Sequence, residues 1–344
     1  MQPFSSRRWT SVALAIATTA GYASAQISCQ PAATTSGQTT SVILSPSYAG
    51  VGIEPANLPA FTGTNSVNQL SYNLLSTLGN YTGVPPHLRI GGNSGDNMLY
   101  DPNLSQALMP NPNPSGQGNT ATDSLFIGPQ FFAALDRMPA NTPITYGLNL
   151  AYTGADAQNR TIAMADAVMN NLKNVHVVGL EIGNEPDLYI VNGYRQAGYT
   201  VNTFGKEWGT RAAAVYNAVL KPKNYPTNFF EPATTATTAS NSGNAYRIKN
   251  LVNTGVAVDN GIYVAGWNQH DYYYYVGVSS FTLTIDYVLD LSNTYNQFNE
   301  WVNQAAEAGV TGKPYYLREM GSVGPTGIQG ISDTFGAPSF PGVL

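Results

Sequence analysis

Apolar and polar positions fall into alternating blocks along this chain. Short runs rich in β-branched or aromatic residues occur at Tyr48–Ile53, His87–Ile90, Ile144–Leu150, Val177–Ile182, Thr227–Glu231, Gly261–Trp267 and Pro314–Leu317. All but Thr227–Glu231, whose pattern is the weakest, read as strands buried on both faces. Between them, apolar residues recur at helical spacing in Val67–Leu78, Pro129–Met138, Ala157–Leu172, Phe204–Leu220 and Leu289–Ala308. Alternating strands and helices of this length predict a parallel sheet, open or closed.

The number of units favours a closed one. Seven strand–helix units lie between Tyr48 and about Phe335, close to the spacing of a (β/α)₈ barrel, which fits eight into roughly 250 residues. No eighth strand is legible. After Glu319 the chain is turn-rich from Gly321 to Gly330, and Ala337–Gly342 carries two prolines. The expected fold is therefore α/β, a (β/α)₈ TIM barrel over residues 47–336 that reads as truncated after its seventh strand, followed by an irregular tail, 337–344. An open doubly wound sheet is the alternative, but no G-x-G-x-x-G or Walker motif follows an early strand.

The first residues bear on the compartment. Arg7 and Arg8 precede a short apolar stretch, Val12 to Ala20, and then Ala23-Ser24-Ala25. These are the three parts of a cleavable secretory signal, so residues 1–25 are expected to be removed and the protein secreted to the extracellular space. Loss of Arg7 and Arg8 moves the net charge from −5 to −7. An acidic chain with 10% charged residues is a poor partner for nucleic acid, and no stretch of about 20 apolar residues predicts a membrane span. A lone Cys29 excludes an internal disulfide, which leaves stability to a large core. Sequons at Asn80, Asn103 and Asn159 fit a secreted glycoprotein.

Two motifs carry chemistry. Leu180-Glu181-Ile182-Gly183-Asn184-Glu185-Pro186-Asp187 ends the fourth expected strand, and Tyr315-Tyr316-Leu317-Arg318-Glu319-Met320-Gly321 ends the seventh. Catalytic groups of such barrels sit at the C-terminal ends of strands. There Glu185 can protonate a leaving-group oxygen while the amide of Asn184 holds a sugar hydroxyl. Glu319 reaches the same rim from across the mouth, and retaining glycosidases need two carboxyl groups about 5–5.5 Å apart. His87, His176 and His270 are scattered, with no H-E-x-x-H, so no metal site is expected. No G-x-S-x-G elbow is present either.

The chain resembles the clan of (β/α)₈ retaining glycosidases with catalytic glutamates on strands four and seven. Within it, the chain is similar to glycoside hydrolase family 79, the β-glucuronidase and heparanase-like enzymes, and to the fungal secreted branch. The matching residues, in family order, are His87-Leu88-Arg89-Ile90-Gly91-Gly92-Asn93-Ser94-Gly95-Asp96, Glu181 to Asp187, Trp267-Asn268-Gln269-His270-Asp271-Tyr272 and Leu317-Arg318-Glu319. The resemblance implies Glu185 as acid/base, Glu319 as nucleophile, Asn184 at the sugar 2-hydroxyl, and Asp96 and His270 in the pocket. Tyr272 is the one member of the Tyr272–Tyr275 run expected to face inward. Arg89 is expected either to neutralise a buried acid or to orient Glu319, and Asp96 either to line the pocket or to cap its own loop. Glu181, inside its strand, reads as structural.

Family members also place a β-sandwich after the barrel. Residues 26–46 would contribute to it here, and most of the rest is missing from this sequence. Heparanase-like members bind the uronate carboxylate through a tyrosine and backbone N–H groups just beyond the nucleophile, whereas this chain reads Gly321-Ser322-Val323-Gly324-Pro325-Thr326-Gly327, with no tyrosine. The expected function is retaining hydrolysis of a β-glycoside, a β-glucuronide on glycans above all, without a cofactor and with carbohydrate as substrate. The alternatives are a non-catalytic carbohydrate-binding remnant and a retaining β-glucosidase or β-galactosidase of the same clan.

Overall fold

The structure is a computed structural model. It describes residues 44–116, 121–232, 235–236, 245–257, 261–275, 284–288, 290–324 and 328–329. The expected signal segment, nearly all of 26–46, the position of an eighth strand and the tail 337–344 lie outside the described residues. So does the second part, 325–327, of the stretch Gly321–Gly327, whose first part belongs to the described residues.

The main sheet grows from the apolar runs. Strands β1 (Val51–Ile53), β2 (Leu88–Ile90), β6 (Pro143–Leu148) and β7 (His176–Ile182) pair in parallel in that order. Leu88, Ile90, Ile144, Leu180 and Ile182 are buried, which is why these segments read as nearly continuous apolar runs rather than as half-polar strands. The weak segment Thr227–Glu231 makes single bridges only, through Phe230 to Leu180 and to Val264. Its hydrogen bonds nonetheless extend the ladder. Glu231 N donates to Leu180 O at 2.8 Å, and Ala265 N donates to Phe230 O at 2.7 Å.

Strand β8 (Trp267–Tyr275) pairs in parallel with β9 (Tyr315–Gly324). The expected strand at Gly261–Trp267 is thus displaced: β8 starts where that run ends. The reason is that Asn268-Gln269-His270-Asp271 is polar on both faces, one set aimed at the site and the other at a packed helix, so it lacks an apolar signature.

Seven parallel segments follow one another around the sheet, and the series bends back on itself. A Cβ on Gly52 of β1 would lie 3.5 Å from the Arg318 carbonyl oxygen of β9. Among the described residues, β1 and β9 share no ladder, so the sheet is not a closed barrel.

The helices fall close to the expected segments. They are α1 (Gln69–Thr82), α2 (Pro129–Leu135), α3 (Ala157–Asn171), α4 (Val201–Val215) and α5 (Leu291–Val310). Asn68 caps α1 by accepting from Leu70 N at 3.2 Å, and Asp290 caps α5 by accepting from Ser292 N and Asn293 N. The expected helix Phe204–Leu220 divides, with α4 running into a π-helical turn at Tyr216–Leu220. Phe131, Phe132, Val168, Phe204 and Trp208 bury their apolar faces toward the sheet, each stabilising the fold by about 1.5–3 kcal/mol. A second sheet, β3 (Met98–Tyr100), β4 (Leu108–Pro110) and β5 (Leu125–Ile127), sits between β2 and α2 in the chain. Its strands are three residues long, too short for periodicity to announce them. Among the described residues no helix is long and apolar enough to cross a membrane.

Candidate active site

The inner faces of the parallel strands carry polar residues two apart, as strand geometry requires. His87 immediately precedes β2 and Arg89 stands on it, Glu181 stands on β7, and Asn268, His270 and Tyr272 stand on β8. The deepest set joins His87 Nε2 to Thr145 Oγ1 (2.9 Å), Thr145 Oγ1 to Glu231 (3.3 Å) and Arg318 to Glu231 through two bonds of 2.7 and 2.9 Å. Burial, aided by the Arg318 charge, lowers the His87 pKa to about 3, so the ring is neutral and donates through Nε2.

Above it lies Arg89, almost wholly buried. Its Nε donates to both oxygens of Glu181 (3.1 and 2.9 Å), Nη2 donates to Asn184 Oδ1 (2.9 Å), and Nη1 pairs with Glu319. Asn268 Nδ2 supplies Glu181 with a further donor. The two roles foreseen for Arg89 therefore meet in one side chain: it neutralises the buried Glu181 and contacts Glu319.

The rim is shaped by the turn after β7. Gly183 has φ +85°, and a Cβ there would lie 2.7 Å from the Tyr189 hydroxyl, so the turn requires glycine. Glu185 follows in the left-handed region at φ +48°, ψ 57°, where a non-glycine residue costs about 1–3 kcal/mol. Pro186 adds a constraint, because the residue before a proline is disfavoured in the right-handed helical region. Asp96 anchors this turn. Its carboxylate accepts from Leu150 N (2.9 Å), Ala151 N (3.3 Å), Asn184 N (2.8 Å) and the Tyr189 hydroxyl (2.7 Å). Four protein donors fill the lone pairs of a carboxylate, which places Asp96 behind the site, tying the ends of β6 and β7 together. Burial raises its pKa to about 6, opposed by the Tyr189 hydroxyl and the three backbone N–H groups.

At the rim, Glu185, His270 and Glu319 each present an atom within 4.8 Å of the other two. His270 Nδ1 lies 3.1 Å from Glu185 Oε1 and 3.7 Å from Glu319 Oε2. The Tyr272 hydroxyl donates to Glu319 Oε1 at 2.6 Å, while the Tyr272 ring packs on Gly321 and Gly324 of β9. Asn184 Nδ2 donates to Asn93 Oδ1 at 3.0 Å. The Glu185 side chain is 6% exposed and that of Glu319 23%, so Glu319 is the carboxylate open to the cleft.

Their electrostatics diverge. Burial raises the Glu185 pKa and the Glu319 charge adds to it, with His270 opposing. Burial would also raise Glu319, but His270, Arg89 and the Tyr272 hydroxyl outweigh it and hold Glu319 well below the usual carboxylate range. Among the described residues, Glu185, His270 and Glu319 are the one trio with donor atoms spaced to hold a metal ion. The Arg89 guanidinium on Glu319 opposes a cation there.

All seven residues singled out in the sequence, Arg89, Asp96, Asn184, Glu185, His270, Tyr272 and Glu319, converge on this rim or directly support it. Asn93, Asn268, Tyr189, Glu231 and the Arg318 contact were not foreseen. For Asn268 a signal existed: Asn268, His270 and Tyr272 recur with period two, as do His87 and Arg89.

No family model matches the chain. A β-glucuronidase of Aspergillus niger is 26% identical over 302 residues, which cover 84% of this chain and 54% of that protein. A β-glucuronidase of Neurospora crassa is 35% identical over 149 residues, covering 41% of this chain and 26% of that protein. The chain is thus similar to these two fungal β-glucuronidases over part of their length. It spans about half the length of the Aspergillus relative. The chain also shares its fold with a crystal structure of a 4-O-α-L-rhamnosyl-β-D-glucuronidase from Fusarium oxysporum. There the TM-score is 0.67 at 22% identity, covering 86% of this chain and 59% of that one.

Proposed function

We propose that this chain carries the catalytic (β/α)-barrel region of a secreted β-glucuronidase acting on glucuronide-bearing glycans with net retention. The observation that carries the reading is the Glu185–Glu319 pair: two carboxylates with oxygens within 4.8 Å whose pKa values are displaced in opposite directions. A retaining enzyme needs a charged nucleophile beside a protonated acid at short separation.

In the first step Glu185 gives its proton to the glycosidic oxygen as Glu319 attacks C1, and the aglycone leaves as an alcohol. The product is a glycosyl ester on Glu319. Esterification removes the negative charge of Glu319, and with it one of the forces that kept Glu185 protonated. Glu185 then accepts a proton from the water that attacks C1, and Glu319 departs as a carboxylate. Arg89, His270 and Tyr272 stabilise that carboxylate before attack and again as it leaves. Asn184, held by Arg89 and Asn93, is assigned to the sugar 2-hydroxyl.

The test is Glu319→Ala with an activated aryl β-glucuronide. Loss of a catalytic nucleophile costs on the order of 10⁵-fold, and azide is expected to restore turnover by occupying the vacated space, yielding an α-configured glycosyl azide. A β-configured azide would exchange the roles of Glu185 and Glu319. Hydrolysis of aryl β-glucosides in place of β-glucuronides would move the reading to a neutral sugar.

A further inference from the structure

Parallel pairing of β8 with β9 is interrupted once. Gln269 stands opposite Leu317 and His270 opposite Glu319, so Arg318 is an extra residue that β8 does not match, a bulge in β9. In an unbroken strand, neighbours point to opposite faces. Here Arg318 and Glu319 both reach into the space enclosed by the strands. Arg318 donates twice to Glu231, at 2.7 and 2.9 Å, and its guanidinium lies 4.0 Å over the ring of Tyr316. Glu319 turns to Arg89, Tyr272 and His270. Glu231 is itself fixed. Its backbone N–H donates to Leu180 O on β7 at 2.8 Å, five residues before Glu185, and its carboxylate accepts from Thr145 on β6 at 3.3 Å.

The geometry points to Arg318 as a positioning residue for Glu319. The Arg318–Glu231 ion pair ties the bulge in β9 to the strand that delivers Glu185, and so sets the separation of the two carboxylates. This role rests on the reading of Glu319 as nucleophile. It needs no contact between Arg318 and substrate: the deep Arg318–Glu231 pair acts through one peptide unit on the rim. A reacting group displaced by about 1 Å can lose roughly 10²-fold in rate, whereas binding of the sugar by the remaining rim groups is unaffected.

The experiment compares the wild type with Arg318→Met, Arg318→Lys and Glu231→Gln on aryl β-glucuronides. It also titrates Glu319 by ¹³C NMR in glutamate-labelled protein, with the resonance assigned through Glu319→Gln. Arg318→Met is expected to lower kcat by about 10²-fold with little change in KM, and Arg318→Lys to recover part of the loss. In Arg318→Met and Glu231→Gln the Glu319 titration should move up toward the ordinary carboxylate range, as the carboxylate slips from Arg89. Should Arg318→Met fail to fold, Arg318→Lys and Glu231→Gln carry the same test. Folded variants with wild-type kcat and an unmoved Glu319 titration would overturn the positioning role, as would a rise in KM alone. If the wild type hydrolyses no glycoside, the functional reading falls, and the NMR titration alone decides whether Arg318 sets Glu319.

Discussion

Glu185 and Glu319 are the same side chain, a few ångströms apart, held by opposite means. Glu185 is placed by its backbone. Gly183, a left-handed φ at Glu185 itself and the Asp96 carboxylate form the turn, and among the described residues the side chain hydrogen-bonds to His270 Nδ1. Glu319 is placed by side chains. Arg89, Tyr272 and nearby His270 surround it, and the bulge at Arg318 turns it inward. The first arrangement leaves a buried carboxyl short of compensating charge, which favours the proton. The second surrounds a carboxylate with donors and positive charge, which favours its loss. The proposed division of labour between acid and nucleophile would follow from how each is anchored.

Four changes break or sharpen that contrast, in falling order of effect. Glu185→Gln removes the acid and keeps the shape. Substrates with poor leaving groups should slow by about 10²–10⁴-fold, and dinitrophenyl glycosides, which need little protonation, far less. The same variant should lose the alkaline limb of the pH–rate profile. The proposed mechanism requires Glu185 protonated and Glu319 charged, so the rate should fall as pH rises through the elevated Glu185 pKa and as pH falls through the depressed Glu319 pKa. An alkaline limb that survives in Glu185→Gln would assign that titration elsewhere.

Arg89→Met attacks the other anchor. It strips Glu181, fully buried, of its cation, and removing one partner of a buried pair costs about 3–5 kcal/mol. Urea unfolding should show that loss, and the acid limb of the remaining activity should shift upward. A Glu319 titration unchanged in this variant would mean that His270 and Tyr272 suffice.

Tyr272→Phe deletes one hydrogen bond to the charged Glu319, an interaction of about 1.5–3 kcal/mol. Tenfold to about hundredfold in kcat/KM is expected, with the fold intact by circular dichroism. Asn68→Ala, at the cap of α1 and away from the rim, provides the reference. It should cost about 1 kcal/mol of stability and leave kcat/KM unchanged; a rate effect there would show that global stability, and not the anchoring of each carboxylate, controls activity.

The residues that the structure gathers at the rim were legible because local pattern and backbone demand coincide. An apolar run ending in Gly183-Asn184-Glu185-Pro186 is a strand stopped by a glycine turn and a proline, and those constraints act within a few residues of one another. The α/β alternation was legible for the same reason: a strand buried on both faces and a helix packed on one face each impose a short repeat. β8 was read too early in the chain, since Asn268, His270 and Asp271 are buried polar residues whose partners are distant in sequence: Glu181, Glu185, and Gln297 and Trp301 of α5. No local rule marks such a strand.

What the sequence by itself determined, then, is the alternation of the main strands and helices and the two segments that carry Glu185 and Glu319; that Glu319 stands inside β9 (Tyr315–Gly324) and not at its end was not legible. What only the tertiary structure decided is how the two glutamates differ. Arg89 contacts Glu181, Asn184 and Glu319 across separations of 92, 95 and 230 residues. Arg318 reaches Glu231 over 87 residues, and Asp96 gathers the turn of Glu185 from 88 residues away. Proton affinity depends on burial and on charges within a few ångströms. Those distances exist only after the sheet has curved round, so two glutamates that look alike in the chain become an acid and a carboxylate in the fold.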